Sequence, residues 1–554
     1  MINNVSFRPP TRTGRLVSLI SENFNNFREN LRARPIIIAD YLIVLSLILY
    51  AGFAPHSIAF TQGAFLFGLL CWAVKIAVTR QYTQSRSPID IAVLGFFACC
   101  VISSFLSYDP MISIKGLRSP AFFLAFYLVS RNIKSLRFAA FLAFLMIGSC
   151  LINVAYSAGK LAIGKGLHID SISADSPFAK EGLRVGDVIL EIDGNKVTST
   201  QDISDRVDSQ RGKVRVKYQR SETVMEAAVS RRAIKRSSEE GVARLGFDTS
   251  PGRNFRITGF YSHYETYAEV LQLIAALAVG LLIARPSKRS AVSIFLASAI
   301  ALITGTLILT STRAPIAGLI IAVAVMAVAS YQRRTVLLAM FAIFILAPVA
   351  LLAIQHARGI SIFDLKEGST AYRLEVWSEA FVLIKNHPMV GIGKGTEQKK
   401  EVKERFALFD NDRLPPGHFH STPIQVATWW GLPALAFYSS FMIIFALQFW
   451  KMSRRLKAEK QHVGWGLALG GIGVLTAFNV SSIAHFNFGD GEVVMVLWLV
   501  TGMVFAVCRL ALEGSVESKS MHKPAPSSPD SSQKNLPQTQ EVAAESSSLA
   551  AKVR

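Results

Sequence analysis

Apolar runs long enough to cross a bilayer recur along most of this chain, and that recurrence limits the fold more than any single motif. A helix needs about 20 apolar residues to span the hydrocarbon core. Such runs fall at 36–54, 57–79, 89–107, 119–131 (short), 137–159, 265–284, 291–310, 315–330, 335–354, 423–449, 463–485 and 492–512. They give about twelve crossings. Backbone polar groups in lipid must bond within their own segment, so the runs are expected as helices rather than open strands. The expected class is an α-helical polytopic membrane protein. Composition agrees, with 51 % hydrophobic and only 18 % charged residues, where soluble domains carry about 25 % charged. The apolar content excludes a disordered chain. Five cysteines (Cys71, Cys99, Cys100, Cys150, Cys508) lie inside apolar runs without CxxC spacing. That excludes a disulfide scaffold or a zinc site as the organising principle.

The net charge of +21 has a topological origin. Basic residues cluster in the first arm (Arg8, Arg12, Arg15, Arg28, Arg32, Arg34) and then in every second loop: Arg80 and Arg86; Arg131, Lys134 and Arg137; Arg285, Lys288 and Arg289; Arg333 and Arg334; Lys451, Arg454, Arg455, Lys457 and Lys460. On a twelve-span path these all face one side, which the positive-inside rule makes cytoplasmic. Both termini then lie in the cytoplasm. Nothing resembles a basic groove-reading surface, so nucleic acid is excluded as a partner. The arm lacks a small-residue cleavage pattern, so the first run is expected to stay as a span. The Ser/Pro/Gln-rich tail reads as disordered. Two polar stretches, about 160–262 and 355–422, fall on the opposite side. Asp40, Lys75, Asp90, Glu265 and Glu269 sit near span ends and read as interfacial anchors, with a site at the outer face.

Residues 166–230 alternate apolar and polar in short runs between Gly and Asp-Gly turns, a β-rich pattern. Ser176-Pro177, Gly182-Leu183, Gly186-Asp187, Val188-Ile189-Leu190 and Asp193-Gly194 follow one another with the order and spacing of bacterial envelope PDZ domains, which this segment resembles. Such domains bind an extended peptide by strand addition and hold its terminal carboxylate in a backbone nest. By resemblance the nest loop is Gly166-Leu167-His168-Ile169, and the partner is the C-terminal peptide of an envelope protein. A spacer that binds nothing is the other reading. Neither GxSxG nor HExxH is present, so no protease accompanies the insert.

Four further stretches lie in the second half. They are Arg256-Ile-Thr-Gly259-Phe260 through Tyr267, Leu309-Thr-Ser311-Thr312-Arg313, Tyr372-Arg373 with Asn386-His387-Pro388 through Gly395, and Gly417-His418-Phe419-His420-Ser421 with Gly431-Leu432-Pro433. In this order they resemble the O-antigen ligase/polymerase family, membrane glycosyltransferases of C-type architecture that use undecaprenyl-pyrophosphate-linked glycan. The resemblance implies a bacterial inner-membrane enzyme with the PDZ insert and catalytic loop in the periplasm. It also implies inversion at the sugar, no metal and no cofactor. Arginine suits a pyrophosphate leaving group because it stays charged and offers a planar fork of donors. Arg313, between two spans, and Arg373, on a helix-like stretch, fill that role by resemblance. His420 matches the family histidine that activates or positions the acceptor, a task suited to a group that titrates near neutral pH. The family usually has Asn after this histidine, whereas Ser421 stands here. His418, His263, Tyr267 and Gly393 are weaker candidates for donor or acceptor binding. Gly391, Gly393 and Gly395 form either a phosphate nest or a plain turn.

The expected organisation is a cytoplasmic basic arm (1–35), transmembrane helices 1–5 (36–159), a periplasmic PDZ domain (160–255), helices 6–9 (256–354), a periplasmic catalytic loop (355–422), helices 10–12 (423–512) and a disordered cytoplasmic tail (513–554). Within the class, ligation to lipopolysaccharide core, repeat-unit polymerisation and protein O-glycosylation stay open. A transporter and a PDZ-bearing envelope sensor are the rivals from other classes.

Overall fold

The computed structural model describes residues 36–80, 88–209, 212–220, 223–235, 241–252, 256–334, scattered positions to 348, 368–409 and 417–521. The arm, most of 335–354 and the tail beyond 521 lie outside the described residues. The chain divides into two units, Met1–Ala511 and Leu512–Arg554. Among the described residues ten helices are long and apolar enough to cross a membrane, and the chain is a multi-pass membrane protein.

In chain order the first helices are α1 (Ile36–Phe53), α2 (Ile58–Thr79), α3 (Pro88–Phe105), α4 (Pro110–Gly116), α5 (Leu124–Asn132) and α6 (Leu136–Ile163). The fourth crossing, expected to be short, spans 23 residues from Pro110 to Asn132. It is broken at Pro120 into α4, a 3₁₀ turn and α5. Asp109 starts it by accepting the Ile112 N–H at 3.0 Å, the ordinary work of an N-cap.

The insert then folds as β1 (Leu167–Ile172), α7 (Pro177–Lys180), β2 (Val188–Ile192), β3 (Asn195–Lys196), α8 (Thr200–Ser209), β4 (Lys213–Arg220), β5 (Thr223–Ser230), α9 (Arg231–Lys235) and β6 (Phe247–Pro251). Its sheet runs β5-β4-β2-β1-β6, with β3 paired to β2 and every pair antiparallel. Asp193-Gly194 forms the expected hairpin, both residues at positive φ as a two-residue turn requires. The insert has its own core around Ile169, Phe178, Ile189, Ile203 and Val216. Lys165 N–H donates to Gly252 O at 2.7 Å, so the two ends of the insert meet.

The remaining helices are α10 (Tyr264–Ala284), α11 (Ala291–Leu309), α12 (Arg313–Ala329), α13 (Gly368–Asn386), α14 (Lys400–Phe406), α15 (Thr422–Ala458), α16 (His462–Ser481) and α17 (Gly491–Met521). α10, α16 and α17 are the most buried of these helices, with 83 %, 78 % and 83 % of their most apolar stretches buried, against 22 % for α2. A Cβ on Gly280 would lie 2.2 Å from the Gly470 nitrogen, so α10 and α16 touch backbone to backbone, as small residues permit between membrane helices.

α15 is 37 residues long and is interrupted at Gly431, whose φ of 84° and ψ of 171° only glycine adopts without strain. Pro433 follows two residues later and supplies no N–H. The break frees carbonyls that lipid cannot satisfy. The 388–393 loop satisfies them: Ile392 N–H donates to Thr428 O and Gly393 N–H to Trp429 O, both at 2.9 Å. In return Leu432 N–H donates to Pro388 O at 2.7 Å. The loop that follows α13 is thereby fixed to the first segment of α15.

Candidate active site

Polar residues gather at the bundle end where α10, α12 and α15 begin and α16 stops. The histidine segment is fixed by the sequence on both sides of it. Thr422 N–H donates to Ser482 O at 2.8 Å and His485 O at 3.1 Å, and its hydroxyl donates to Asn487 Oδ1 at 2.9 Å. Phe419 N–H donates to Gln425 Oε1, and Trp377 Nε1–H on α13 donates to Phe419 O, each at 2.7 Å. Between these clamps His420 is held at φ 48°, the left-handed region. For a residue with a Cβ this costs roughly 1 kcal/mol and is a feature that concentrates at functional sites. Its N–H donates to His418 Nδ1 at 3.1 Å, and the two rings lie 4.1 Å apart. The Tyr372 ring meets His420 edge-on at 5.7 Å.

Burial pushes the His420 imidazole down to about 3, and the His418, Arg373 and His485 charges reinforce this while Glu265 opposes it. His418 is pushed down as well, chiefly by burial. Both shifts favour the neutral imidazole. Arg373 acts on Glu265, His418, His420 and His485 alike, so α13 delivers its guanidinium to this cluster. Its Nε is buried with no hydrogen-bond partner among the described residues.

Arg313 opens α12 at the same end. Gly318 on that helix abuts Gln272 Oε1 and Ala477 O. Arg313 lies five residues before Gly318, about 7.5 Å towards the helix start, which sets it level with the upper turns of α10. Arg256 stacks on the Tyr264 ring at 4.3 Å just ahead of α10.

The other candidates have different surroundings. His263 is exposed at the start of α10. Tyr267 is fully buried and shares a 2.9 Å hydrogen bond with Ser157 on α6, so it packs the helices together. Gly393 lies against Ser107 and Ser113, and its N–H is spent on Trp429 O. The amides of Ile392 and Gly393 bridge the break in α15, which leaves neither for a phosphate nest. Gly166, Leu167, His168 and Ile169 do not line an open sheet edge either. β1 is paired on both sides, with β2 and β6, and a filled strand cannot accept another. Among the described residues β6 has one partner strand. It follows the turn Ala243–Leu245, lies beside α8 through the 2.6 Å Thr200–Thr249 hydroxyl bond, and is tied to it by Arg244–Asp208. Among the described residues the end strands of the sheet are thus β6 and β5, and β1 is not one of them.

Residues 296–439 match the O-antigen ligase family model. Residues 168–220 match a PDZ domain. No curated protein matches the chain. The ligase domain supports a membrane glycan ligase or polymerase type of function, and Arg313, Arg373, His418 and His420 all fall inside it. The PDZ match covers β1 through β4 and stops before β6. Three residues of the cluster lie outside the ligase match: Glu265, Glu269 and His485. Glu265 and Glu269 read as interfacial anchors in the sequence, but Glu269 is only 2 % exposed and hydrogen-bonded inside the bundle. Their spacing of four residues puts both on one helix face with Gln272, and that was the available signal.

Proposed function

We propose that this protein transfers a glycan from undecaprenyl pyrophosphate to a glycan or lipid A-core acceptor at the periplasmic face of the bacterial inner membrane. The observation that carries this reading is the convergence of Arg373, His418 and His420 at one end of the helices, within the ligase match. Arg313 and Arg373 would stabilise the negative charge that grows on the departing pyrophosphate. His420, neutral and held in a strained turn, would position the acceptor hydroxyl for in-line attack and inversion at the sugar. Among the described residues no three His, Cys, Asp or Glu side chains are placed to share a metal ion, and transfer is expected to withstand chelator. The test is transfer from synthetic lipid-pyrophosphate glycan by purified protein. Single transfer onto lipid A-core identifies a ligase and ladder growth on the donor a polymerase. Absence of either from folded protein overturns the reading.

Orientation is tested separately. In a background lacking the native cysteines, Asp205→Cys and Lys400→Cys should react with an impermeant maleimide in spheroplasts, whereas Lys460→Cys and Gln533→Cys should not. Labelling of Lys460→Cys together with Asp205→Cys would invert the topology.

The PDZ domain is read as a recruitment module that adds a partner's C-terminal peptide along β6. Because its ends meet, replacing 166–251 by a short polar linker should leave the protein inserted. Transfer by the purified deletion should stay near native while glycan output in cells falls. Equal loss in both settings would make the domain part of the catalytic site.

A further inference from the structure

Behind the histidine segment lies a buried carboxylate–imidazole pair that the proposed chemistry leaves unused. Glu269 bonds His485 Nδ1 through Oε1 at 2.9 Å. Its Oε2 accepts from Ser481 Oγ at 2.8 Å, from Gln272 Nε2, and more weakly from Asn487 Nδ2 at 3.4 Å. Both oxygens are accepting, so Nδ1 of His485 carries the hydrogen and Nε2 keeps its lone pair. That lone pair faces Glu265 Oε1 at 3.8 Å. The gap is too long for a direct hydrogen bond, and each atom is an acceptor that needs its own donor, as two neighbouring hydroxyls of one sugar would supply. The Glu265 side chain is 35 % exposed at the mouth, while those of His485 and Glu269 are 7 % and 3 % exposed behind it.

Two imidazoles therefore compete for the acceptor's proton, and their surroundings differ in sign. His420 faces His418, Arg373 and His485, and its Nδ1 is buried with no hydrogen-bond partner among the described residues. His485 also feels Arg373, but it is gripped by Glu269 on α10 and faced by Glu265 one turn away. Burial lowers its affinity for a proton, yet the Glu269 hydrogen bond and the two carboxylate charges outweigh burial and raise it above the usual histidine value. A carboxylate that orients an imidazole through Nδ1 and stabilises the imidazolium is the arrangement that makes histidine an effective general base.

Resting on the glycosyl-transfer reading, we propose that His485 Nε2, oriented by Glu269, takes the proton of the acceptor hydroxyl, while Glu265 accepts from a neighbouring hydroxyl of the same acceptor sugar and so holds it in place. The hydroxyl oxygen bonds to the anomeric carbon as the carbon–oxygen bond to pyrophosphate breaks, and that electron pair leaves on the phosphate oxygen. The proton rests on His485 beside Glu269 and returns to water through the mouth. His418 and His420 position the acceptor. Charged or titratable neighbours of His485 are Glu265 and Glu269 on α10, Arg373 on α13, and His418 and His420 before α15, with Asp490 acting on His418.

The test is the pH profile of transfer by purified full-length protein. A base must be neutral to act, so native kcat should rise with pH through the raised His485 value. Glu269→Gln removes the group that raises it and should move this acid limb to lower pH, with a lower plateau. His485→Gln should cut kcat about 10²-fold or more while donor KM stays within about threefold of native. Glu265→Gln, altered at the exposed mouth, should fold normally and raise acceptor KM about tenfold, as loss of one hydrogen bond to a charged group would. His420→Ala should weaken acceptor binding and leave the acid limb in place. An acid limb that ignores Glu269→Gln, or one that moves with His420→Ala, overturns the assignment. Absence of transfer by the folded native protein overturns the glycosyl-transfer reading and the base together.

Discussion

Arg313→Ala is expected to lower transfer about 10²–10³-fold without loss of the folded protein. The cost arises in the transition state, where pyrophosphate gathers charge as the glycosidic bond breaks. At the end of the helices, partly withdrawn from water, a fixed guanidinium stabilises that charge without reorganising. Water that replaces it must reorient at each turnover. Arg313 also heads α12, whose first N–H groups add partial positive charge in the same direction. Arg313→Lys should recover only part of the rate, since an ammonium is a point charge and cannot grip two oxygens as a planar fork does. Arg373→Ala should chiefly raise donor KM, because a guanidinium grips the pyrophosphate already in the bound donor. The measurement is kcat and KM with purified donor, beside a melting curve for each variant. Near-native kcat in folded Arg313→Ala would remove Arg313 from the site.

The membrane helices were readable because a run of some twenty apolar residues has few other fates. The break at Gly431 was visible as a Gly-Leu-Pro sequence inside an apolar run. That the break is repaired by Ile392 and Gly393 was not, since nothing local links residues about forty positions apart. The same limit explains Gly393: a glycine-rich turn reads equally as a phosphate nest or a plain turn until the partners of its amides are known. In the insert, the peptide-binding loop was placed by resemblance at the start of β1, yet pairing on both sides closes that strand. β6, which completes the sheet, follows β1 only after 74 intervening residues and carries little pattern of its own. Glu269 was misread for a related reason. A carboxylate near a span end is usually an anchor, and only the return of α16 and the His485 loop shows that this one faces inward.

The loop clamp on α15 predicts the largest structural effect. A Cβ on Gly391 would lie 2.4 Å from the Trp429 carbonyl carbon and 2.6 Å from the Thr428 oxygen, at a φ of 66° that favours glycine. Gly391→Val must push the 388–393 loop away from α15, so the Thr428 carbonyl loses the Ile392 N–H and the Trp429 carbonyl keeps only Ser103 Oγ–H. Each buried group left unpaired costs about 1–3 kcal/mol, and the overpacking about 1–3 kcal/mol more. Gly391→Val is therefore expected to leave little monodisperse protein after extraction. Gly391→Ala is milder and more informative. It should lower the melting temperature and reduce transfer about 10²-fold, because the α15 segment it displaces carries the His420 turn, and a shift of about 1 Å is enough for such a loss. Gly305→Ala is the control: a Cβ there meets nothing within 4 Å, and both melting and transfer should stay native. Native melting and native transfer in Gly391→Ala would show that the loop does not set the geometry of the site.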